Sequence, residues 1–152
     1  MNRETERIKE QLTRAYEGGA WCGTSLREAL AGVGAEQAAR RPVACAHSIW
    51  ELVLHAAGWK DVVGRRLGGE PAQAPDAGDF PPVEATSEEA WQSALALLEE
   101  SHRRLLEAVE ALEESRLEEP VAEGMSSVYV TLHGILQHDL YHAAQVALLR
   151  KA

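Results

Sequence analysis

Apolar positions recur at helical spacing through four separate stretches of the chain. In the first, Glu4 to about Leu30, the residues Ile8, Leu12, Ala15, Tyr16, Ala20, Leu26 and Leu30 fall near every third or fourth position. That is the pattern of a helix that buries one face. Gly18, Gly19 and Gly23 weaken its middle and predict a kink or close packing there, and Gly32 and Gly34 end it. A loop through Arg41-Pro42 then leads to about His47. Ser48 and Glu51 have capping-box spacing, and Ile49, Trp50, Leu52, Val53, Ala56, Ala57, Val62, Val63 and Leu67 follow before Gly68-Gly69. This second helix is apolar on more than one face, so it is expected to be well buried.

Residues 70–85, rich in Pro, Ala, Gly and Asp, form the longest stretch without periodicity and read as a crossover loop rather than a tight turn. Thr86 and Glu89 have capping-box spacing at the head of a third helix, about Ser87 to Glu114. Its inward stripe is Trp91, Ala94, Leu95, Leu98, Leu105, Val109 and Leu112. Its other face carries Glu99, Glu100, Arg103, Arg104, Glu107 and Glu110, most simply a solvated face. After a polar connection at 115–125, Val128 to Lys151 reads as the fourth helix, with Val128 to Thr131 either helical or an extended lead-in. Four amphipathic segments and no convincing strand predict an all-α fold, a four-helix bundle forming one domain over residues 1–152.

Composition agrees. With 152 residues the chain can bury one sizeable core, and aromatics at 5% leave helix favoured over sheet. The 24 acidic residues outnumber the 15 basic ones, giving a net charge of -9. A nucleic-acid-binding surface has to displace counterions with positive charge. No Lys/Arg run here exceeds a pair, so no nucleic-acid partner is expected. No apolar run approaches the roughly 20 residues of a membrane span, and the charged start MNRETERIKEQL lacks the apolar region of a signal peptide. The reading is a cytoplasmic protein with no membrane partner. Cys22 and Cys45 form no CxxC pair and are expected to be buried or partly buried free thiols.

The chemistry concentrates in histidine. His138 and His142 are four residues apart and fall within about 40° of each other on a helix, one turn apart, so both can reach one metal. His55 lies mid-way along the second helix on a mostly apolar face, beside Leu52 and Trp59, and a bundle brings such positions together. By spacing alone the pair is a weak signal; one buried and one exposed histidine is the blander account. A third imidazole in an apolar setting strengthens the metal reading, because a buried imidazole needs a partner. Three neutral imidazoles would leave coordination positions open, as catalytic sites do. His133 lies about 140° from His138 around the helix and is not expected in the ligand set. His47, at a helix start, and His102, among charges, are given no metal role.

Asp139 directly follows His138, so the string His-Asp-Leu-Tyr-His is similar to an HExxH helix in which the acid is a general base. Its shorter side chain makes an orienting or polar contact the simpler reading. Gln145 is a candidate to orient a ligand or contact substrate. Trp59 and Tyr141 are pocket candidates beside ordinary packing roles, and the four tryptophans, Trp21, Trp50, Trp59 and Trp91, are expected mostly as core or interface anchors.

Two segments carry a family resemblance: His47-Ser-Ile-Trp-Glu-Leu-Val-Leu-His55-Ala-Ala-Gly-Trp59, and Leu132-His-Gly-Ile-Leu-Gln-His138-Asp-Leu-Tyr-His142-Ala-Ala-Gln145. In this order and separation they resemble the DinB-like superfamily, which includes the YfiT-like proteins. The resemblance implies a four-helix bundle of DinB/YfiT-like topology with a long crossover loop. It implies one divalent metal, usually zinc or nickel, held by His55, His138 and His142, and often a homodimer. Some members of this superfamily are S-transferases using low-molecular-weight thiols such as bacillithiol or mycothiol; others have been called metal-dependent hydrolases. Ala143-Ala144 stands where relatives commonly have Gly before the Gln, a small packing change. The resemblance therefore puts a metal-dependent thiol S-transferase acting on a small-molecule substrate first. A hydrolase using a metal-activated water and a non-catalytic, stress-linked metal-binding protein are the alternatives.

Overall fold

The computed structural model describes residues 4–152; Met1 to Arg3, at the head of the charged N-terminal stretch, lie outside the described residues. It contains six helices, four of them long, and no β-strand among the described residues: α1 (Glu4–Tyr16), α2 (Leu26–Leu30), α3 (Ala35–Ala39), α4 (Ile49–Leu67), α5 (Glu88–Glu110) and α6 (Val128–Leu149). A 3-10 turn, Glu114–Glu118, follows α5. The α4 helix packs most extensively on α5 and also on α6, while α1 packs on α5 and α6, which closes a four-helix ring.

The long first helix expected from periodicity is two helices. Gly18 and Gly19 break it just after Tyr16, with Gly19 at φ +82°, a conformation that costs a side chain but not a glycine. The chain restarts at Ser25, whose hydroxyl accepts from the Glu28 N–H while the Glu28 carboxylate accepts from the Ser25 N–H. Ala35–Ala39 is a further short helix within the stretch read as loop. Ser48 and Glu51 form the expected capping box at the head of α4. Thr86 does not cap α5: Ser87 does, accepting from the Ala90 N–H at 3.2 Å, and α5 stops at Glu110 although Leu112 beyond it stays buried. Val128 is already helical, with Ser127 as its cap, so α6 has no extended lead-in.

The core follows the stripes. Trp50 and Trp91 pack with ring centroids 5.1 Å apart, and the Trp91 indole N–H donates to the Val33 carbonyl at 2.7 Å. Trp21, expected as an anchor, is fully exposed in the glycine-rich turn after α1. Cys22 and Cys45 are likewise exposed free thiols rather than buried ones, because both fall in connecting loops outside the packed helices. No helix of the described residues is long and apolar enough to cross a membrane.

The crossover segment between α4 and α5 presses onto α4 at Gly58. A Cβ added there would lie 2.9 Å from Pro75 Cβ, closer than real contacts allow, so glycine admits the loop. That approach sets Asp79 and Phe80 over His55.

Candidate metal centre

His55 comes from the middle of α4, and His138 and His142 from successive turns of α6. Their side chains converge: His55 Nε2 is 2.9 Å and His142 Nε2 3.1 Å from His138 Nε2. All three rings are at least half buried, and their ligand atoms lie within 4.8 Å of one another.

The outer nitrogens fix the tautomers. His55 Nδ1–H donates to the Asp79 carbonyl at 2.7 Å, with Asp79 Oδ1 at 3.1 Å, and His142 Nδ1–H donates to Gln145 Oε1 at 2.6 Å. A ring that carries its proton on Nδ1 presents a bare lone pair at Nε2. Two such lone pairs therefore face His138 Nε2, whose single proton can serve only one of them. A cation satisfies all three at once. Ligands at about 2.0–2.1 Å from a tetrahedral ion lie roughly 3.3 Å apart, so the two close separations need only a small opening to accept one. Burial, with His142 and His55 adding to it, pushes His138 down to about 3. Burial also lowers His142. Neutral imidazole is the form a metal requires, and the carbonyl and amide partners that orient the rings are those a metal-binding histidine typically has.

Phe80 stacks on His55 with centroids 4.0 Å apart, and His47 stacks on the far side of Phe80 at 3.6 Å. Trp59 meets His55 edge-on, and its indole N–H donates to Asp79 Oδ1 at 2.7 Å. Tyr141 touches the His142 ring edge but is itself exposed. His133 packs on Tyr129 and stays outside the cluster.

Asp139 points elsewhere. It is wholly buried, and one carboxylate oxygen accepts from Lys60 Nζ, itself wholly buried. His102, expected among surface charges, is in this same interior: 2% exposed, stacked on Tyr16 at 4.0 Å, with Nδ1 3.5 Å from Lys60 Nζ. Asp139 is the only Asp, Glu, Lys or Arg in α6, which was a signal in the sequence that it needs a buried cation as partner. Asp79 and Phe80 also escaped the sequence reading. The only phenylalanine of the chain, placed in a Pro/Gly/Asp-rich loop, was the available hint.

An all-α bundle with a three-histidine cluster on two facing helices defines the class, and a family model matches it. Residues 19–146 match the DinB superfamily model, and the chain belongs to that superfamily. Its fold is similar to the crystal structure of a conserved protein from Enterococcus faecalis, with a TM-score of 0.74 over 99% of this chain and 97% of that one, at 16% sequence identity. No curated protein matches the chain.

Proposed function

We propose that the chain binds one divalent transition metal, zinc or nickel, through His55, His138 and His142, and that it is a metal-dependent S-transferase for a low-molecular-weight thiol. The observation that carries the metal reading is the convergence of the three Nε2 atoms with the outer nitrogens of His55 and His142 already engaged. The metal, when bound, would lower the pKa of a coordinated thiol and hold it as thiolate.

Each protein group has a passive task in this chemistry. Asp79 and Gln145 orient two of the rings, and Phe80 and Trp59 cover the His55 side and keep water from it. Such a reaction needs no protein base, because thiolate formation is driven at the ligand site. This fits the surroundings, where Asp139, the one carboxylate adjacent to a ligand in sequence, is engaged by Lys60 in the core. The same contact weighs against a hydrolase using Asp139 as its base. The exposed apolar side chains Val130, Tyr141 and Leu148 on α6 support assembly as a homodimer, which light scattering on purified protein tests.

The functional test mixes metal-loaded protein with a series of small thiols and a generic electrophile. Thiol consumption above the metal-only background, abolished by His55→Ala, is the expected result. Turnover of ester or amide substrates without thiol, and none with it, would overturn the transferase reading.

A further inference from the structure

A cavity of about 300 Å³ opens beside the histidine cluster, lined by Trp59, Arg66, Val130, Thr131, Ile135 and the ligand candidate His138 among others. That size suits a small molecule. Most of its wall is apolar, and its one fully charged group is Arg66.

Arg66 is held but not neutralised. Its Nε donates to the Ala72 carbonyl at 2.7 Å and its Nη2 to the Gln73 carbonyl at 3.0 Å, while the guanidinium lies over the Trp59 ring at 5.9 Å. No carboxylate forms an ion pair with it among the described residues. Its neighbour Arg65 has three, Asp61, Glu70 and Asp76. Carboxylates are not in short supply in a chain of net charge -9, so their absence around Arg66 is local. Two backbone carbonyls fix the plane of the guanidinium and leave Nη1 without a partner among the described residues. A planar guanidinium held in this way presents a donor edge that matches a carboxylate.

We propose that this cavity is a subsite for a carboxylate-bearing ligand: Arg66 takes the carboxylate, Val63, Val130 and Ile135 line its aliphatic body, and the ligand's other end reaches the histidine cluster at His138. This rests on the metal reading above and adds the charge and shape of the molecule that approaches the metal.

The test uses the Co(II)-loaded protein, in which a bound thiolate produces a charge-transfer absorption band. Two thiols of equal length are titrated, 3-mercaptopropionate and the neutral 3-mercapto-1-propanol. The wild-type chain should bind the acid about tenfold more tightly, since hydrogen bonds to charged groups contribute that much or more. Arg66→Met should bring the two affinities together, and Arg66→Lys, which keeps the charge, should restore part of the preference. A general loosening of the loop would weaken both thiols equally and leave their ratio unchanged. Equal affinities in the wild type, or a preference that survives in Arg66→Met, would overturn the subsite while leaving the thiolate reading intact. No band with either thiol would overturn the thiolate reading instead. The subsite would then be decided by calorimetry of butyrate on the zinc-loaded protein: binding lost in Arg66→Met upholds it, and no binding to the wild type overturns it.

Discussion

Two polar clusters sit inside this bundle, built from the same two helices at nearly the same level. His55 and Lys60 both come from α4, and His138 and Asp139 are neighbours on α6. One cluster gathers three imidazoles whose lone pairs converge beside a cavity; the other pairs a carboxylate with an ammonium and closes over them completely. In the second, the chain supplies its own cation. In the first, the Nε2 lone pairs of His55 and His142 face one His138 Nε2 that can satisfy only one of them, and the proposed metal would supply the charge. One residue along α6 separates a buried ion pair, beside which Asp139 Oδ1 and His102 Nε2 have no hydrogen-bond partner among the described residues, from the imidazole cluster proposed as the binding one.

The closed cluster gives the largest effect. Burial pushes the Lys60 amine down and the Asp139 carboxyl up, and each is opposed by the other's presence. Removing one partner leaves a buried, uncompensated group, so Lys60→Met should cost about 3–5 kcal/mol in denaturant unfolding. The double variant Lys60→Met/Asp139→Leu should recover most of that loss, because an apolar pair of similar volume is often neutral or better. Failure of the second change to rescue the first would mean that the two groups do not act as a closed pair.

The open cluster should respond to metal rather than to pairing. Zinc at about 100 times its dissociation constant should stabilise the chain by roughly 2.7 kcal/mol, several degrees in thermal midpoint. His55→Ala should abolish that gain and change the metal-free stability far less than Lys60→Met does. Equal zinc stabilisation in the variant would remove His55 from the site. Smaller still, Gln145→Ala removes only the acceptor for His142 Nδ1–H and should weaken metal binding about 10- to 100-fold in a competition titration, without abolishing it.

The smallest effect is the acid response of the closed side. Burial, with Lys60 and Arg27 beside it, pushes His102 from its ordinary 6.5 down to about 3. The unfolded chain therefore binds a proton that the folded chain refuses between those values. The stabilisation is complete above about pH 6.5 and declines as the pH falls toward 3. At pH 5.5 this one group accounts for at most about 1.4 kcal/mol. His102→Leu should reduce the pH dependence of metal-free stability over that window without abolishing it, since burial lowers His138 and His142 as well; an unchanged slope would place the response elsewhere.

Much of this was legible beforehand. The apolar stripes of α4, α5 and α6 located the core because burial enforces periodicity, and the HxxxH spacing placed two ligand candidates on one helix face. What escaped depended on contacts distant in sequence. Lys60 reads as one more charge on α4 until Asp139, from a helix late in the chain, is set against it. Asp79 and Phe80 lie in a loop whose path no periodicity describes. The break after Tyr16 was readable in principle, since Gly18-Gly19 followed by Ser25 and Glu28 spells a stop and a restart. The apolar positions on either side matched one helical period closely enough to mask it.

Through the contact between Gly58 and Pro75, the proposed metal and the loop would share a single equilibrium. Because the loop reaches His55 only by lying flat on α4 there, docking of the loop and orientation of the ring are one event. Linkage then works in both directions: a metal that favours the oriented ring must favour the docked loop by the same free energy. The crossover segment should resist proteases in the loaded protein and become more susceptible when a chelator is added. A methyl group at position 58, which would meet Pro75 rather than any ligand atom, would be felt as a weaker metal site.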